Sequence, residues 1–260
     1  MGMPVTVEIV SELGTQIAIG KVFEYFTQVD EKFSTFKSAS EITAINNGQI
    51  KLENASQEMK EVFLLCDKTK NETGGYFDIV NNEGKFDPSG LVKGWAIFNA
   101  AQLLEGLRFE DFYVEAGGDI QVRGNGPALR PARRSFSEGG SLGEEGGWRT
   151  GIRNPFNVKE IIKVVTLKND EGIATSGSYE RGAHIYNPLL RSTSFEGQAQ
   201  IVSLTVIGPN IYEADRFATA AFAMSGKGIY FIEKLAGFEA YAIDKNGLAT
   251  MTSGFLKYTT

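Results

Sequence analysis

Asp215 and Thr219 lie four residues apart, so on a helix their carboxylate and hydroxyl share one face. Two hard oxygens aimed the same way suit a divalent cation such as Mg²⁺, which takes one or two protein oxygens and keeps waters or substrate phosphates for the rest. An aspartate near a helix start also serves as a dipole-favoured surface or capping group. A second candidate is the stretch Gly84-Lys85-Phe86-Asp87-Pro88-Ser89-Gly90-Leu91-Val92-Lys93-Gly94-Trp95. Asp87-Pro88-Ser89-Gly90 is a good turn, and Ser89 or Gly90 a good helix entry. A turn that opens a helix offers free backbone N–H groups to phosphate, with Lys93 as a point charge one turn in; a plain turn beside a solvated lysine is the competing reading. His184, the one histidine of the chain, follows the polar glycine turn Thr175 to Gly182. It is a candidate general base, or a structural hydrogen-bonding residue.

Much other chemistry is excluded. Gly124-Asn125-Gly126 continues as Pro127-Ala128-Leu129 without a third glycine, and no Gly-Lys-Ser or Gly-Lys-Thr occurs, which leaves dinucleotide-fold dehydrogenases and P-loop ATPases unsupported. With one histidine and one cysteine, zinc sites of thiolates and imidazoles are out, so a metal here is hard and oxygen-bound. Cys66 has no partner for an internal disulfide, and its place in Val62-Phe63-Leu64-Leu65-Cys66 suits a small buried hydrophobe. Lys and Arg total 26 against 32 Asp and Glu, a formal charge of −6, with no long basic run, which argues against nucleic acid as a partner. No stretch approaches the ~18 apolar residues of a membrane span. The residues as given are those of a soluble, cytoplasmic protein; a removed lipoprotein or secretory leader would leave the same residues.

These groups need elements to position them. Thirty glycines in 260 residues, several in pairs beside acidic or hydroxyl residues, imply many tight turns. Val5 to Ile9 alternates as a strand, and Ile17 to Phe26 carries helical spacing. Ser56 to Lys70 is a helix that Ser56 caps, with Met59, Val62, Phe63 and Cys66 as its apolar face. Gly94 to Gly106 is a third helix offering Trp95, Phe98, Leu103 and Leu104 to a core. It leads to a strand at Phe112 to Ala116 and a turn at Gly117-Gly118-Asp119. Residues 124–147 are Gly-rich and aperiodic, a long mobile loop. Strands follow at Trp148 to Ile152, Ile162 to Leu167 and Ile201 to Ile207. Helices follow at Glu213 to Met224 and Gly226 to Leu235, then a last strand at Glu239 to Ile243 with a turn at Asp244-Lys245-Asn246-Gly247. Interspersed strands and helices without strict alternation favour an α+β architecture of sheets covered by helices, in one domain over residues 1–260.

Together these segments resemble the FAD:protein FMN transferases, the ApbE family. The resemblance is carried by Met1-Gly2-Met3-Pro4-Val5-Thr6, Phe33-Ser34-Thr35-Phe36-Lys37 with Ser40-Glu41-Ile42 and Asn46, Gly75-Tyr76-Phe77-Asp78-Ile79, and the turn Asp87 to Gly94. It continues in family order through Glu115-Ala116-Gly117-Gly118-Asp119-Ile120, Trp148 to Ile152, Ala174 to Arg181, His184-Ile185 and Ala214 to Phe222. It implies an α+β fold of mixed or antiparallel sheets covered by helices, ApbE-like and T-fold-like. It also implies protein flavinylation: FAD as substrate, Mg²⁺ as cofactor, and transfer of FMN to a Thr or Ser hydroxyl of an acceptor flavoprotein with release of AMP. Carried over by motif, the Gly90 carbonyl, the Asp215 carboxylate and the Thr219 hydroxyl would hold the metal. Phe36, Tyr76, Phe77, Asp78, Asp87, Lys93 and Ile185 would line the FAD site, with Met1 touching the flavin. His184 would be the base, or an orienting group, at the accepting hydroxyl.

The chain departs from the family pattern twice. Phe36 stands where a tyrosine is usual, keeping the ring and losing the hydroxyl. After His184 the family runs through an aspartate, a proline and a Thr-Gly pair, whereas here Asn187-Pro188-Leu189-Leu190-Arg191 follows. Two other functions use the same features: an FAD pyrophosphatase, in which water replaces the protein hydroxyl, and a non-catalytic flavin-binding protein that would tolerate loss of the metal.

Overall fold

The alternation Val-Thr-Val-Glu-Ile makes β1 (Val5–Ile9), and its partner along the chain is a strand more than a hundred residues later. The structure is a computed structural model; it describes residues 2–11, 14–126, 146–177, 188–189 and 200–259. Helices α1 (Thr15–Phe33), α2 (Glu41–Asn46), α3 (Gln57–Glu72) and α4 (Ser89–Gly106) intervene before β2 (Phe112–Ala116) and β3 (Asp119–Arg123). Next come β4 (Trp148–Asn154), β5 (Asn157–Leu167), β6 (Gly172–Gly177), β7 (Ile201–Gly208), α5 (Ile211–Ala223), α6 (Gly228–Ile232), β8 (Glu239–Asp244) and β9 (Ala249–Met251). Among the described residues a seven-stranded sheet runs β1-β2-β3-β6-β7-β8-β9, with β4 and β5 paired as a separate two-stranded ribbon. Every pairing is antiparallel.

The period-2 rule then sorts side chains into two cores. Phe112, Val114 and Ala116 of β2, Ala174 of β6, Val206 of β7, and Ala240 and Ala242 of β8 face the helices. Their neighbours Ile173, Ile207, Tyr241 and Ile243 face the ribbon, where they meet Trp148, Ile152, Val165, Leu167 and Phe255. Small alanines line the helix side, and that lets α5 lie close to the sheet. Helix α4 is buried on nearly every side, from Leu91 to Leu104; it packs on α1, α5, β2 and β3. A helix buried on most of its faces belongs in an interior, and its first turn carries the Asp87–Lys93 segment, where Ser89 is exposed and Asp87 half-buried.

Several expectations are met as stated. Ser56 caps α3 by accepting the Met59 N–H at 3.3 Å, and Met59, Val62, Phe63 and Cys66 are buried. Burial holds the Cys66 thiol far above its usual range, as befits a core residue and not a nucleophile.

Others are corrected. The helix expected over Gly94 to Gly106 extends back to Ser89, the entry read from the Asp87–Gly90 turn; the Asp87 carboxylate accepts the Ser89 N–H at 3.0 Å and secures the first turn. Asp119 is not the end of a turn but the first residue of β3, since Gly117 (φ 59°) and Gly118 (φ 90°) alone form the hairpin connection between β2 and β3. Thr175 to Gly177, read as a polar turn, lie in β6 in mid-sheet; residues 178–182 are outside the described residues. The reading of residues 124–147 as a mobile loop falls mostly on residues 127–145, also outside them. The helix expected over Gly226 to Leu235 is a 3₁₀ turn at Ser225–Lys227 followed by the short α6.

Candidate active site

Helices α4 and α5 cross in close contact, and glycine makes the contact possible. A Cβ on Gly90 would sit 3.0 Å from Thr219 Cγ2 and 3.2 Å from Phe77 Cε2. On Gly94 it would sit 2.6 Å from Asp215 Cβ and 2.8 Å from the Ile211 carbonyl oxygen. The four-residue spacing of Gly90 and Gly94 thus meets the four-residue spacing of Thr219 and Asp215 in antiparallel register. The Thr219 hydroxyl donates to the Gly90 carbonyl at 3.1 Å, and the Gly94 N–H donates to Asp215 Oδ2 at 2.7 Å. Gly94→Ala should lower stability by about 2–3 kcal/mol and the melting temperature by about 5–10 °C, because overpacking here outweighs the ~1 kcal/mol gained in helix propensity. The control is Gly20→Ala in α1, where a Cβ meets nothing within 4 Å and a gain of ~0.5–1 kcal/mol is expected. Thermal unfolding of the pair measures the difference.

Charge is concentrated at this crossing. Lys93 Nζ lies 2.5 Å from Asp119 Oδ2 and 3.5 Å from Asp215 Oδ1. Asp119 and Asp215 are 1% and 2% exposed. Burial, opposed by the Lys93 ammonium and reinforced by the like charge of Asp119, raises the Asp215 carboxyl above the ordinary carboxylate range. A buried carboxylate whose charge is only partly compensated is a good partner for a further cation.

The remaining site residues are brought in by one loop. Asp87 N–H donates to the Ile79 carbonyl at 2.7 Å, and Val80 pairs with Phe86, so Tyr76-Phe77-Asp78 and Asp87 are two sides of one excursion. Asp78 is held by Lys70 at 2.7 Å and by the Val80 N–H at 3.0 Å. Phe77 is 3% exposed, and its ring walls the Gly90–Thr219 contact, so it props the crossing and offers no open stacking face. Tyr76 is half-buried. Phe36, on the turn between α1 and α2, is 98% exposed, a free ring. Its turn is tied to the loop through α2, where the Asn46 side chain exchanges hydrogen bonds of 2.9 and 2.8 Å with the Phe86 backbone.

His184, Ile185 and Met1 lie outside the described residues. The described Leu189 rests against Gly75, 3.1 Å from where its Cβ would be, and Met3 lies against Gly117. Sequence reasoning gave no role to Asp119. Its signal was the acidic residue directly after the Gly117-Gly118 pair, at the mouth of a hairpin facing the helix that carries Lys93.

The donors at the crossing suit Mg²⁺. A carbonyl, a hydroxyl and a carboxylate are the hard oxygens it takes, and neighbouring vertices of an octahedron with ligands at about 2.0–2.1 Å are about 3 Å apart, close to the 3.1 Å between the Gly90 and Thr219 oxygens.

Solved structures share this arrangement of sheet, ribbon and helices. An ApbE protein from Thermotoga maritima superposes with a TM-score of 0.79 over 100% of this chain and 96% of its own, at 19% identity. The flavin transferase ApbE from Vibrio cholerae gives 0.77 over 99% and 96%, also at 19%. The ApbE family model matches residues 1–83 and 80–242, and the chain belongs to that family. Among curated relatives, the FAD:protein FMN transferase of Haemophilus influenzae is 25% identical over 182 residues, 67% of this chain and 48% of the relative. That of Escherichia coli K12 is 28% identical over 170 residues, 62% of this chain and 43% of the relative. The matched segments thus span about half the length of these curated relatives.

Proposed function

We propose that the chain is an FAD:protein FMN transferase: it binds FAD, transfers FMN to a Thr or Ser hydroxyl of an acceptor flavoprotein, and releases AMP with Mg²⁺ as cofactor. The observation that carries the reading is the meeting of Gly90, Thr219, Asp215 and Lys93 at the α4–α5 crossing, beside the loop that bears Asp78 and Asp87. Family membership and the names of the curated relatives support it.

In this reading the Gly90 carbonyl, Asp215 and Thr219 hold Mg²⁺, which when bound neutralises pyrophosphate charge. Lys93 supplies a second positive charge to the same phosphates. Phe36 and Tyr76 offer ring surface to the flavin or adenine and Met1 touches the flavin, while Asp78, Asp87 and Ile185 orient the rest of the FAD. His184 takes the proton of the acceptor hydroxyl as its oxygen attacks the FMN-side phosphorus. The P–O bond to the AMP half breaks, and AMP departs with the electron pair. Such a displacement requires alignment and charge neutralisation more than covalent help. The Asn187-Pro188-Leu189 run, lacking the family's aspartate and Thr-Gly pair, keeps FAD hydrolysis as the second reading, with water in place of the hydroxyl.

The test is incubation with FAD, Mg²⁺ and a Thr-containing acceptor flavoprotein, followed by the intact mass of the acceptor. A gain equal to one FMN is expected. Free FMN and AMP without acceptor labelling, across several acceptors, would indicate the hydrolase, and intact FAD would indicate a binding protein.

A further inference from the structure

The two oxygens of the Asp215 carboxylate have different neighbours, and the Asp119 carboxyl lies beside them. Oδ2 is engaged by the Gly94 N–H at 2.7 Å, and Oδ1 is the atom that faces Lys93 at 3.5 Å. A divalent cation taken up by Asp215 must therefore compete with an ammonium for Oδ1. What draws that ammonium away is Asp119, whose Oδ2 stands a full ångström nearer to Nζ, at 2.5 Å. Asp119 is in turn fixed from the opposite side, because its Oδ1 accepts the Thr175 N–H of β6 at 3.0 Å. The hairpin glycines at φ 59° and 90° deliver it to the start of β3, and burial at 1% exposure leaves it little room to turn elsewhere.

We propose that Asp119 is a positioning residue for this site: by anchoring the Lys93 ammonium it keeps Asp215 Oδ1 available to the divalent cation and aims the lysine at the phosphates. It acts through Lys93; its carboxyl also lies beside that of Asp215, and it is assigned to neither metal nor substrate. The proposal rests on the assignment of Asp215 to the metal. Removing the Asp119 charge leaves Asp215 as the nearest counter-ion of Lys93, so the cation has to displace a tightly paired ammonium. Groups that orient the surroundings of metal ligands are typically worth 10- to 100-fold in metal affinity.

The test is binding of Mn²⁺, followed by the electron paramagnetic resonance of the free ion, to the full chain without FAD. Asp119→Asn keeps the size and the acceptor for Thr175, and should weaken Mn²⁺ about tenfold or more. Lys93→Met, which removes the competing ammonium, should tighten it. In the Lys93→Met background the Asp119→Asn loss should shrink to about threefold or less, the residue of direct charge attraction. If Asp119→Asn does not fold, the Lys93→Met result still decides: weaker Mn²⁺ binding in that variant overturns the proposal. An equal Asp119→Asn loss with and without Lys93 would also overturn it, showing that Asp119 does not act through the lysine. Unchanged binding in Asp119→Asn, with binding abolished in Asp215→Ala, would overturn it and leave the metal assignment standing. Undiminished binding in Asp215→Ala would remove that assignment and the proposal with it.

Discussion

Asp215→Ala is expected to abolish FMN transfer, a loss of about 10³-fold or more at saturating FAD and Mg²⁺. It is the only carboxylate of the three groups assigned to the cation. The other two, the Gly90 carbonyl and the Thr219 hydroxyl, are neutral oxygens 3.1 Å apart and cannot balance a divalent charge. The fold should survive. The Gly94 N–H loses its carboxylate acceptor, a cost of ~1–3 kcal/mol, while the desolvation of a buried charge is relieved. Lys93 retains Asp119 at 2.5 Å. Asp215→Asn separates charge from shape, since the amide oxygen can still accept from Gly94. It should melt within a few degrees of wild type and be nearly as inactive as the alanine variant. Turnover measured across a Mg²⁺ titration decides the matter; near wild-type activity in either variant at low Mg²⁺ would remove Asp215 from the metal site.

The second large effect is expected at His184. If it takes the proton of the acceptor hydroxyl, His184→Ala should slow transfer by about 10²-fold or more and leave FAD affinity near wild type, because a general base acts in the transition state and contributes little to the bound ground state. The ordering of the two losses is itself informative. Phosphoryl transfer is dominated by neutralisation of charge, so the metal variant should be the more damaged of the two. FAD affinity by fluorescence quenching and transfer rate by acceptor labelling give the two readouts. A parallel loss in both would make His184 a binding group.

Much of this site was legible because its signals are local. The Asp215–Thr219 spacing places both on one helix face without knowledge of the fold, and Ser56 announces the start of α3. The segments misread are those in which tertiary contact overrides local preference. Gly90 and Gly94 weaken any helix propensity at the start of α4, yet they are there because Thr219 and Asp215 leave no space for a Cβ. At Gly172 a Cβ would fall 2.1 Å from the Ile211 N; the glycine is where the entry to α5 crosses strand β6. Asp119 went without a role because its partner, Lys93, is 26 residues away in sequence and is reached only once β3 lies beside α4.

The central claim is transfer in preference to hydrolysis, and the most direct measurement is the ratio of AMP released to FMN covalently bound on the acceptor in the same reaction. Transfer predicts one AMP for each FMN-bearing Thr or Ser at early times, with a slow excess of AMP once the acceptor is consumed, and both products lost together in Asp215→Ala. AMP and free FMN accumulating at an undiminished rate with the acceptor hydroxyl removed, and no FMN on the acceptor when it is present, would contradict it.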